Sequence, residues 1–271
     1  MSTTTLPRST RRAPARSRPH WRTLVRGREA DPAWVRPVLL GVLVLSALLC
    51  LWDLTASGSS NTYYAAAVKS ASESWKAWFF GSLDPGSFIT VDKPPLSLWL
   101  MGLSARVFGF SSFSMLVPQA LCTIGAVGLL FATVRRLFGP AAGLAAAAAL
   151  AITPVTVAIG RVNNPDALLV LLMVAAAWLL VRALESGSTK HLAWCGAVVG
   201  LAFMTKMLQG FLVLPGFAAA YLLAAPTSWR RRLLHLAAAT GALIVAAGWW
   251  VAIVTLIPAA SRPYVGGSTD D

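Results

Sequence analysis

Residues 166–183 read DALLVLLMVAAAWLLVRA, an apolar run with one acid at its start and one arginine near its end. An α-helix needs about 20 mainly apolar residues to cross a bilayer, so this run predicts a membrane-spanning helix. Comparable runs recur along the chain. We predict about seven spans, at residues 35–54, 113–134, 139–159, 166–183, 191–206, 210–224 and 236–257. The predicted fold class is therefore all-α, a polytopic transmembrane helical bundle.

The composition of the whole chain agrees with a lipid environment. Charged residues make up 12% of the 271 residues, and the mean hydropathy is +0.66. The net charge of +13 comes largely from arginines ahead of the first apolar run. This placement indicates a cytoplasmic tail and no nucleic-acid partner, because the basic residues flank a membrane span. We predict that residues 1–34 are a disordered tail, since they carry few apolar side chains to bury.

Basic residues also predict the orientation of the chain. Arg135-Arg136, residues 182–191 and Arg230-Arg231-Arg232 lie in alternate connections, and the positive-inside rule places them in the cytoplasm with the N-terminus. The chain would then be a multi-pass protein of the cell membrane that ends outside. The segments predicted on the extracytoplasmic face are the first outer loop at 53–112, the link 160–166, the turn at Lys206 and the tail 258–271.

The first outer loop is long and rich in aromatic residues. Trp75, Trp78 and Trp99 favour the headgroup zone of a membrane, so we predict short amphipathic helices along the outer interface. Residues 94–108 are apolar but too short to cross a bilayer untilted. We expect a helix that lies in or dips into this interface, with Pro94-Pro95 in its first turn.

Acidic residues are scarce, and an ionisable group at bilayer depth is costly unless it is paired or functional. This argument singles out Asp166 and Lys206, which stand at the ends of apolar spans. The ammonium group of Lys206 needs an anion. Asp166, Asp92 and a bound phosphate are the three candidates.

The motif Asp92-Lys93-Pro94-Pro95-Leu96 places an acid and an amine at the start of a helix. Backbone amides and the helix dipole also favour an anion there, so the motif predicts a phosphate cradle. The alternative is structural. In that interpretation Asp92 caps the helix and the Lys93 side chain reaches from apolar surroundings towards water.

A second polar group precedes the span at 166–183. It combines a guanidinium, two amides and a carboxylate, from Arg161, Asn163, Asn164 and Asp166. Such a set could bind a polar ligand. The alternative is a capped helix start with Asp166 in the first turn.

These motifs, in their order and spacing, resemble the polyprenyl-phosphate-sugar-dependent membrane glycosyltransferases. That superfamily includes the protein O-mannosyltransferases and the bacterial lipid A aminoarabinose transferases. The resemblance covers residues 52–267, and the bacterial branch with Asn-x-Tyr-Tyr in the first loop is the most similar. The motifs that carry it are Asn61-Thr62-Tyr63-Tyr64-Ala65, Asp92-Lys93-Pro94-Pro95-Leu96 with Trp99 and Phe108-Gly109, Arg135-Arg136-Leu137-Phe138-Gly139, Asn164-Pro165-Asp166 and Thr205-Lys206.

The resemblance implies a GT-C-like fold with an outer-face active site. It also implies inverting transfer of a mannose-type or other sugar from a polyprenyl-phosphate carrier to an envelope glycan, lipid or protein. Such a transfer needs a carboxylate that accepts the acceptor's proton and cations that stabilise the departing phosphate. The matching catalytic candidates are Asp166 and Asp92, and the substrate-binding candidates are Lys93, Lys206, Arg161, Asn163, Asn164, Asn61, Tyr63 and Tyr64. No metal ligand is assigned, although a divalent metal is possible in the family.

The chain departs from the family in two respects. Ser60-Asn61 stands where other members carry an acid pair, which leaves the base open among Asp53, Asp92 and Asp166. The sequence also ends at Asp271, earlier than family members do, so we expect a truncated chain. Two alternatives to a transferase follow, a non-catalytic carrier-binding or transport protein and a membrane scaffold whose polar residues satisfy helix ends.

Overall fold

The computed structural model describes residues 31–265, and helices dominate this part of the chain. The α-helices are α1 (Val35–Leu51), α2 (Thr62–Glu73), α3 (Trp75–Phe80), α4 (Leu96–Phe108), α5 (Ser112–Ile152), α6 (Pro154–Gly160), α7 (Asp166–Ser186), α8 (Thr189–Lys206), α9 (Leu214–Ala224) and α10 (Trp229–Leu256). Short 3₁₀ turns cover Leu54–Ser57, Met207–Val213 and Ala259–Ser261. Between residues 31 and 265 the only β-pairing consists of isolated bridges, Ser82 with Thr90 and Ile89 with Tyr264.

Four helical stretches in the described part are long and apolar enough to cross a membrane. They are Ser112–Ile152, Asp166–Ser186, Thr189–Ala224 and Trp229–Leu256. The apolar helices α1 and α4 are shorter. The prediction of an all-α polytopic membrane fold is confirmed.

Two of the four stretches fold back on themselves. Gly139 interrupts α5 with φ 83° and ψ 172°, and a Cβ on Gly143 would lie 3.0 Å from the carbonyl oxygen of Phe131. The second reversal follows α8 at Met207, where φ is 50°, and a Cβ on Gly210 would lie 2.9 Å from the amide nitrogen of Phe203. A straight helix would hold these pairs more than 10 Å apart at about 1.5 Å rise per residue. Each of these two stretches is therefore a helical hairpin. This agrees with the prediction of two spans in each stretch, 113–134 and 139–159 in the first and 191–206 and 210–224 in the second.

The reversals place charged connections at two opposite ends of the bundle. At one end Arg135 lies 2.8 Å from Asp31, Arg136 lies 2.6 Å from Glu185, and the turn at Gly187 packs on Pro226. We call this the basic end. The opposite end, which we call the loop end, is formed by residues 53–111, 161–165, 206–207 and 257–265.

Several predicted boundaries differ from the structure. Helix α10 begins at Trp229 and not at residue 236, so the three arginines 230–232 lie within its first turns. The extension is favourable because Arg232 donates to the carbonyl group of Thr227 (3.0 Å), near the end of α9. Helix α4 begins at Leu96 with Pro95 as its N-cap, so the two prolines precede the turn in which we expected them. The predictions for residues 1–30 and 266–271 lie outside the described residues.

Candidate active site

The first element of the site is the start of α2. Asn61 is its N-cap, and the Asn61 side-chain oxygen accepts hydrogen bonds from the backbone amides of Tyr63 (3.1 Å) and Tyr64 (3.4 Å). This cap satisfies amide donors that the first turn of a helix leaves without partners. It fixes the two tyrosines that follow.

Both tyrosines contact the Asp92-Lys93 motif. The backbone amide of Asp92 donates to the Tyr63 hydroxyl (3.1 Å), and the Lys93 ammonium donates to the Tyr64 hydroxyl (2.8 Å) and to the Asp92 carboxylate (2.6 Å). The cap position of α4 belongs to Pro95 and has no side-chain hydrogen bond. The alternative in which Asp92 caps the helix is therefore wrong.

These contacts affect the ionisation of Lys93 and Tyr64. Partial burial lowers the pKa of Lys93, but hydrogen bonds to Asp92 and Tyr64 outweigh it and raise the pKa above its usual value of 10.5. Burial raises the pKa of the Tyr64 hydroxyl, an effect that the nearby Lys93 only partly offsets. At neutral pH the site therefore holds an ammonium ion beside a neutral phenol.

A second ion pair joins Asp166 to Lys206. Asp166 lies in the first turn of α7 and Lys206 ends α8, and the Lys206 ammonium donates to the Asp166 carboxylate. Both side chains are about a quarter exposed, at 24% and 22%. Each charge also suits its helix end, because the dipole favours an anion at an N-terminus and a cation at a C-terminus. Asp166, one of the three anions considered, is therefore a direct partner of Lys206.

The two asparagines before Asp166 have different roles in the fold. The Asn164 side-chain oxygen accepts a hydrogen bond from the amide of Asp166 (3.2 Å) and so supports the start of α7. Asn163 is fully buried and bonds to the backbone of Asn61 through both ends of its amide, at 2.7 Å and 2.8 Å. Neither side chain is among those that line the site cavity described below.

Arg161 is not brought together with the other candidates. Its guanidinium donates to the backbone carbonyls of Trp52 (2.7 Å), Leu49 (3.1 Å) and Asp53 (3.1 Å). The last carbonyls of a helix lack partners within it, so Arg161 closes the end of α1. Sequence patterns do not show this role, because the acceptors are backbone groups more than 100 positions away.

A cavity of about 310 Å³, the site cavity, opens beside the Asp92–Lys93 pair. Its lining residues are Thr90, Val91, Asp92, Lys93, Pro94, Phe203, Met207, Trp250, Val251, Val254, Thr255, Arg262 and Val265. Polar groups thus stand at one side, and the walls from α8 and α10 are mainly apolar. A smaller cavity links Lys93 and Tyr64 to Pro165 and Thr205, the sequence neighbours of Asp166 and Lys206. Asp166 and Lys206 themselves are not among the lining residues of either cavity, but their sequence neighbours border the smaller one.

Sequence reasoning did not identify Arg262 or Trp250. Arg262 lines the cavity with Lys93, and the next residues are tied to the first outer loop by hydrogen bonds from Tyr264 to Phe88 (2.8 Å) and from Thr90 to Tyr264 (2.9 Å). The topology alone could have singled out Arg262, a cation predicted to follow the last span on the same face as Asp92. Trp250 gave no such signal, because a Trp near a span end usually marks the membrane interface.

The donor groups at the site do not fit a metal held by protein ligands. Between residues 31 and 265 there is no group of three or more His, Cys, Asp or Glu side chains that could hold an ion. Asp92 is the one carboxylate in the lining of the site cavity, and it already bonds to the Lys93 ammonium.

The sequence and fold were compared with those of known proteins. The profile of the family described as dolichyl-phosphate-mannose-protein mannosyltransferase matches residues 92–251. The Bacillus subtilis proteins YkcB and YycA, mannosyltransferases by name, are 40% and 39% identical to the chain over 231 and 234 residues. Each alignment covers 85% of this chain, which spans only about a third of either relative, 32% and 34%.

Solved structures share the fold at low sequence identity. ArnT from Cupriavidus metallidurans, in the apo state, superposes with a TM-score of 0.62 at 23% identity, over 82% of this chain and 42% of that one. The Archaeoglobus fulgidus oligosaccharyltransferase gives a TM-score of 0.55 at 14% identity, over 83% and 37%. These likenesses show the fold alone. Since the family profile extends over more than half of the sequence, this chain belongs to the dolichyl-phosphate-mannose-protein mannosyltransferase family.

Proposed function

We propose that this chain takes part in sugar transfer from a polyprenyl-phosphate carrier to a hydroxyl group of an envelope glycan, lipid or protein. The observation that carries the proposal is the site cavity, which combines an ammonium and a guanidinium with apolar walls. A lipid phosphate has the same division into an anionic head and an apolar tail. The cavity volume of about 310 Å³ lies at the lower end of the range for small-molecule sites.

Lys93 and Arg262 are the proposed partners of the carrier phosphate. Both line the site cavity, and the raised pKa of Lys93 keeps its ammonium charged at neutral pH. Cations placed where negative charge develops stabilise the transition state of transfer. Val251 and Val254 of α10 would then contact the first isoprene units. A structure of ArnT with the same fold contains undecaprenyl phosphate, which supports a carrier of this class.

Asp166 is the proposed base. In an inverting transfer the acceptor oxygen attacks the anomeric carbon from the face opposite the phosphate, so the base stands on that side. Asp92 accepts a hydrogen bond from Lys93, the proposed phosphate ligand, so the proposed role of Asp92 is to hold this cation in place. The acceptor hydroxyl would lose its proton to Asp166 as its oxygen bonds to the sugar. The bond from sugar to phosphate oxygen breaks, and its electron pair stays on the phosphate.

The proposed orientation places the loop end outside the cell. Among the described residues, the basic end carries Arg36, Arg135, Arg136, Arg182, Lys190, Arg230, Arg231 and Arg232 against the acids Asp31 and Glu185. The loop end, counted with Asp166, has a smaller positive excess, with Lys69, Lys76, Lys93, Arg106, Arg161, Lys206 and Arg262 against Asp53, Glu73, Asp84, Asp92 and Asp166. The positive-inside rule then favours a cytoplasmic basic end.

A second candidate is a carrier-binding protein without catalysis. Both carboxylates of the site, Asp92 and Asp166, are bonded to lysines, and Ser60-Asn61 lacks the acid pair expected in the family. A carboxylate oxygen that already accepts a hydrogen bond from an ammonium is less available to take a proton from a hydroxyl group.

Radiolabelled polyprenyl-phosphate mannose distinguishes the two candidates. The purified chain in lipid nanodiscs is incubated with this donor, and carrier binding and sugar release are measured for wild type, Asp166→Asn, Asp92→Asn and Lys93→Ala. A transferase loses release with binding intact in Asp166→Asn. Binding without release in every form would support the second candidate, and the absence of binding would overturn both.

A further inference from the structure

Asn163 connects two parts of the site that lie far apart in the sequence. Its side-chain oxygen accepts a hydrogen bond from the Asn61 amide (2.7 Å), and its side-chain nitrogen donates to the Asn61 carbonyl (2.8 Å) across 102 positions. The same nitrogen also lies 3.3 Å from the sulfur of Met115. Asn163 is fully buried, so no substrate reaches it. We call the two hydrogen bonds between the Asn163 side chain and the Asn61 backbone the amide clamp.

The amide clamp acts on the residue that starts α2. Asn61 uses its backbone for the clamp and its side chain to cap the helix at Tyr63 and Tyr64. Ser60, the residue before it, has a positive φ of 54°, a conformation that costs free energy for a non-glycine residue. The clamp therefore holds a chain segment that would otherwise relax, and it sets where the two tyrosines begin.

The tyrosines transmit this position to Lys93. The Tyr64 hydroxyl accepts a hydrogen bond from the Lys93 ammonium (2.8 Å), and the Tyr63 hydroxyl accepts one from the backbone of Asp92 (3.1 Å). A lysine has a flexible four-carbon stem, which must be ordered before its charge can meet a ligand at a fixed point. Ordering that stem in advance strengthens binding because the ligand does not have to do it.

We infer that Asn163 is a positioning residue, which orients Lys93 through Asn61 and Tyr64 and thereby strengthens binding of the carrier phosphate. The effect on carrier binding rests on the proposed function, whereas the hydrogen bonds that position Lys93 do not depend on it. Asn163 also joins the segment just before Asp166 to the loop that carries Lys93, which fixes the distance between these two parts of the site. The sequence interpretation of Asn163 as a direct substrate ligand is thereby replaced.

A double-mutant cycle tests the inference with undecaprenyl phosphate as the probe. Asn163→Asp keeps the acceptor, removes the donor and faces a carboxylate towards the Asn61 carbonyl. We expect about a tenfold weaker Kd, as for the loss of a buried hydrogen bond. In a chain that already carries Tyr64→Phe, which removes the hydrogen bond to Lys93, Asn163→Asp should weaken the Kd by less than about threefold. Additive effects of the two substitutions would overturn the inference.

Asn164→Asp provides a matched comparison. It introduces the same charge one position away and keeps the oxygen that Asp166 uses, so its loss of affinity should be clearly smaller than that of Asn163→Asp. An equal loss at both positions would mean that added charge explains the effect. Thermal unfolding of each variant in nanodiscs identifies any variant that fails to fold.

A measurement without carrier keeps the inference separate from the proposed function. Mass spectrometry follows the rate at which a water-soluble acylating reagent modifies Lys93, with exposed Lys190 at the basic end as internal reference. Asn163→Asp should raise the Lys93 rate severalfold and leave the Lys190 rate unchanged, because the ammonium loses its fixed partner. An unchanged Lys93 rate would refute the positioning role even if the carrier binds. Failure of the wild type to bind carrier would instead refute the proposed function.

Discussion

Charged side chains at the basic end tie helices to one another, whereas three at the loop end, Asp92, Lys93 and Arg262, border a cavity. Arg136 bonds to both carboxylate oxygens of Glu185, and Arg135 bonds to Asp31. These pairs hold α5 to α7 and to the segment before α1. The described part of the chain also has a groove between α8, α9 and α10. No cation of the basic end is among the residues that line it.

The loop end differs in what surrounds its pairs. Asp92–Lys93 and Asp166–Lys206 both lie where helices begin or end, and Lys93 lines two cavities. Partly buried charges cost free energy, and the cost is tolerated where a charge has a further role. Ion pairs alone therefore do not mark a site, because both ends of the bundle have them. What distinguishes the loop end is a charge that has an acid partner and also borders space for a ligand.

The largest effect is expected from Asp166→Asn. Loss of a general base lowers turnover by roughly 100-fold or more, and carrier binding should persist. Glu185→Gln removes the corresponding carboxylate at the basic end and should leave turnover within about twofold, since surface pairs contribute little. Sugar release from labelled donor measures both. Equal losses in the two variants would remove the distinction between the ends.

Lys93→Ala should have the next largest effect, on affinity. A hydrogen bond to a charged group is worth enough to weaken carrier binding by about tenfold or more when it is lost. Arg136→Ala is the matched change at the basic end, and its effect on Kd should stay below about twofold. Titration with undecaprenyl phosphate in nanodiscs compares them. A strong effect of Arg136→Ala would indicate that the carrier binds at the other end.

A pH titration of carrier binding tests the contribution of Tyr64 to the charge of Lys93. Hydrogen bonds to Asp92 and Tyr64 outweigh burial and raise the Lys93 pKa above 10.5, so more than half of the Lys93 side chains are still charged in the folded protein at that pH. Its contribution to folding is present below the unfolded pKa and is lost only as the pH rises through the folded one. Carrier affinity should therefore be flat between pH 8 and 10 and should fall at lower pH in Tyr64→Phe than in wild type. The same pH dependence in both forms would contradict the role of Tyr64.

The smallest effect concerns stability at the basic end. The Arg136–Glu185 pair is partly exposed, and such pairs contribute less than about 1 kcal/mol. Arg136→Ala should therefore lower the free energy of unfolding by no more than this amount, as measured by reversible denaturation in detergent. A much larger loss would mean that the basic end holds the bundle together more strongly than its exposure indicates.

The sequence predicted the parts of the fold that depend on local pattern. The start of α7 at Asp166 followed from a polar link and a proline before an apolar run, and the separate spans 113–134 and 139–159 followed from the apolar runs on either side of Arg135-Arg136. The predicted start of α10 was too late, because three consecutive arginines were interpreted as part of a loop. Arginine side chains can also extend from a helix to the membrane surface, as they do here.

The site was predicted only in its composition. Asp92, Lys93, Asp166 and Lys206 were identified, but a choice among three anions for Lys206 needs tertiary contacts over 40 positions. Arg161 and Asn163 were assigned to substrate, whereas their partners are backbone groups of distant segments. Side-chain bonds to backbone leave no mark in the partner's sequence, because any residue supplies the same amide and carbonyl groups.

Photo-crosslinking with a polyprenyl phosphate that carries a diazirine next to the phosphate shows which end of the protein binds the carrier. The purified chain is irradiated in nanodiscs, and mass spectrometry locates the modified residues. We expect adducts at the loop end, in residues 90–94 and 250–255, and their loss in Lys93→Ala. Adducts in the groove at the basic end, on Leu192 or Thr240, would contradict this expectation.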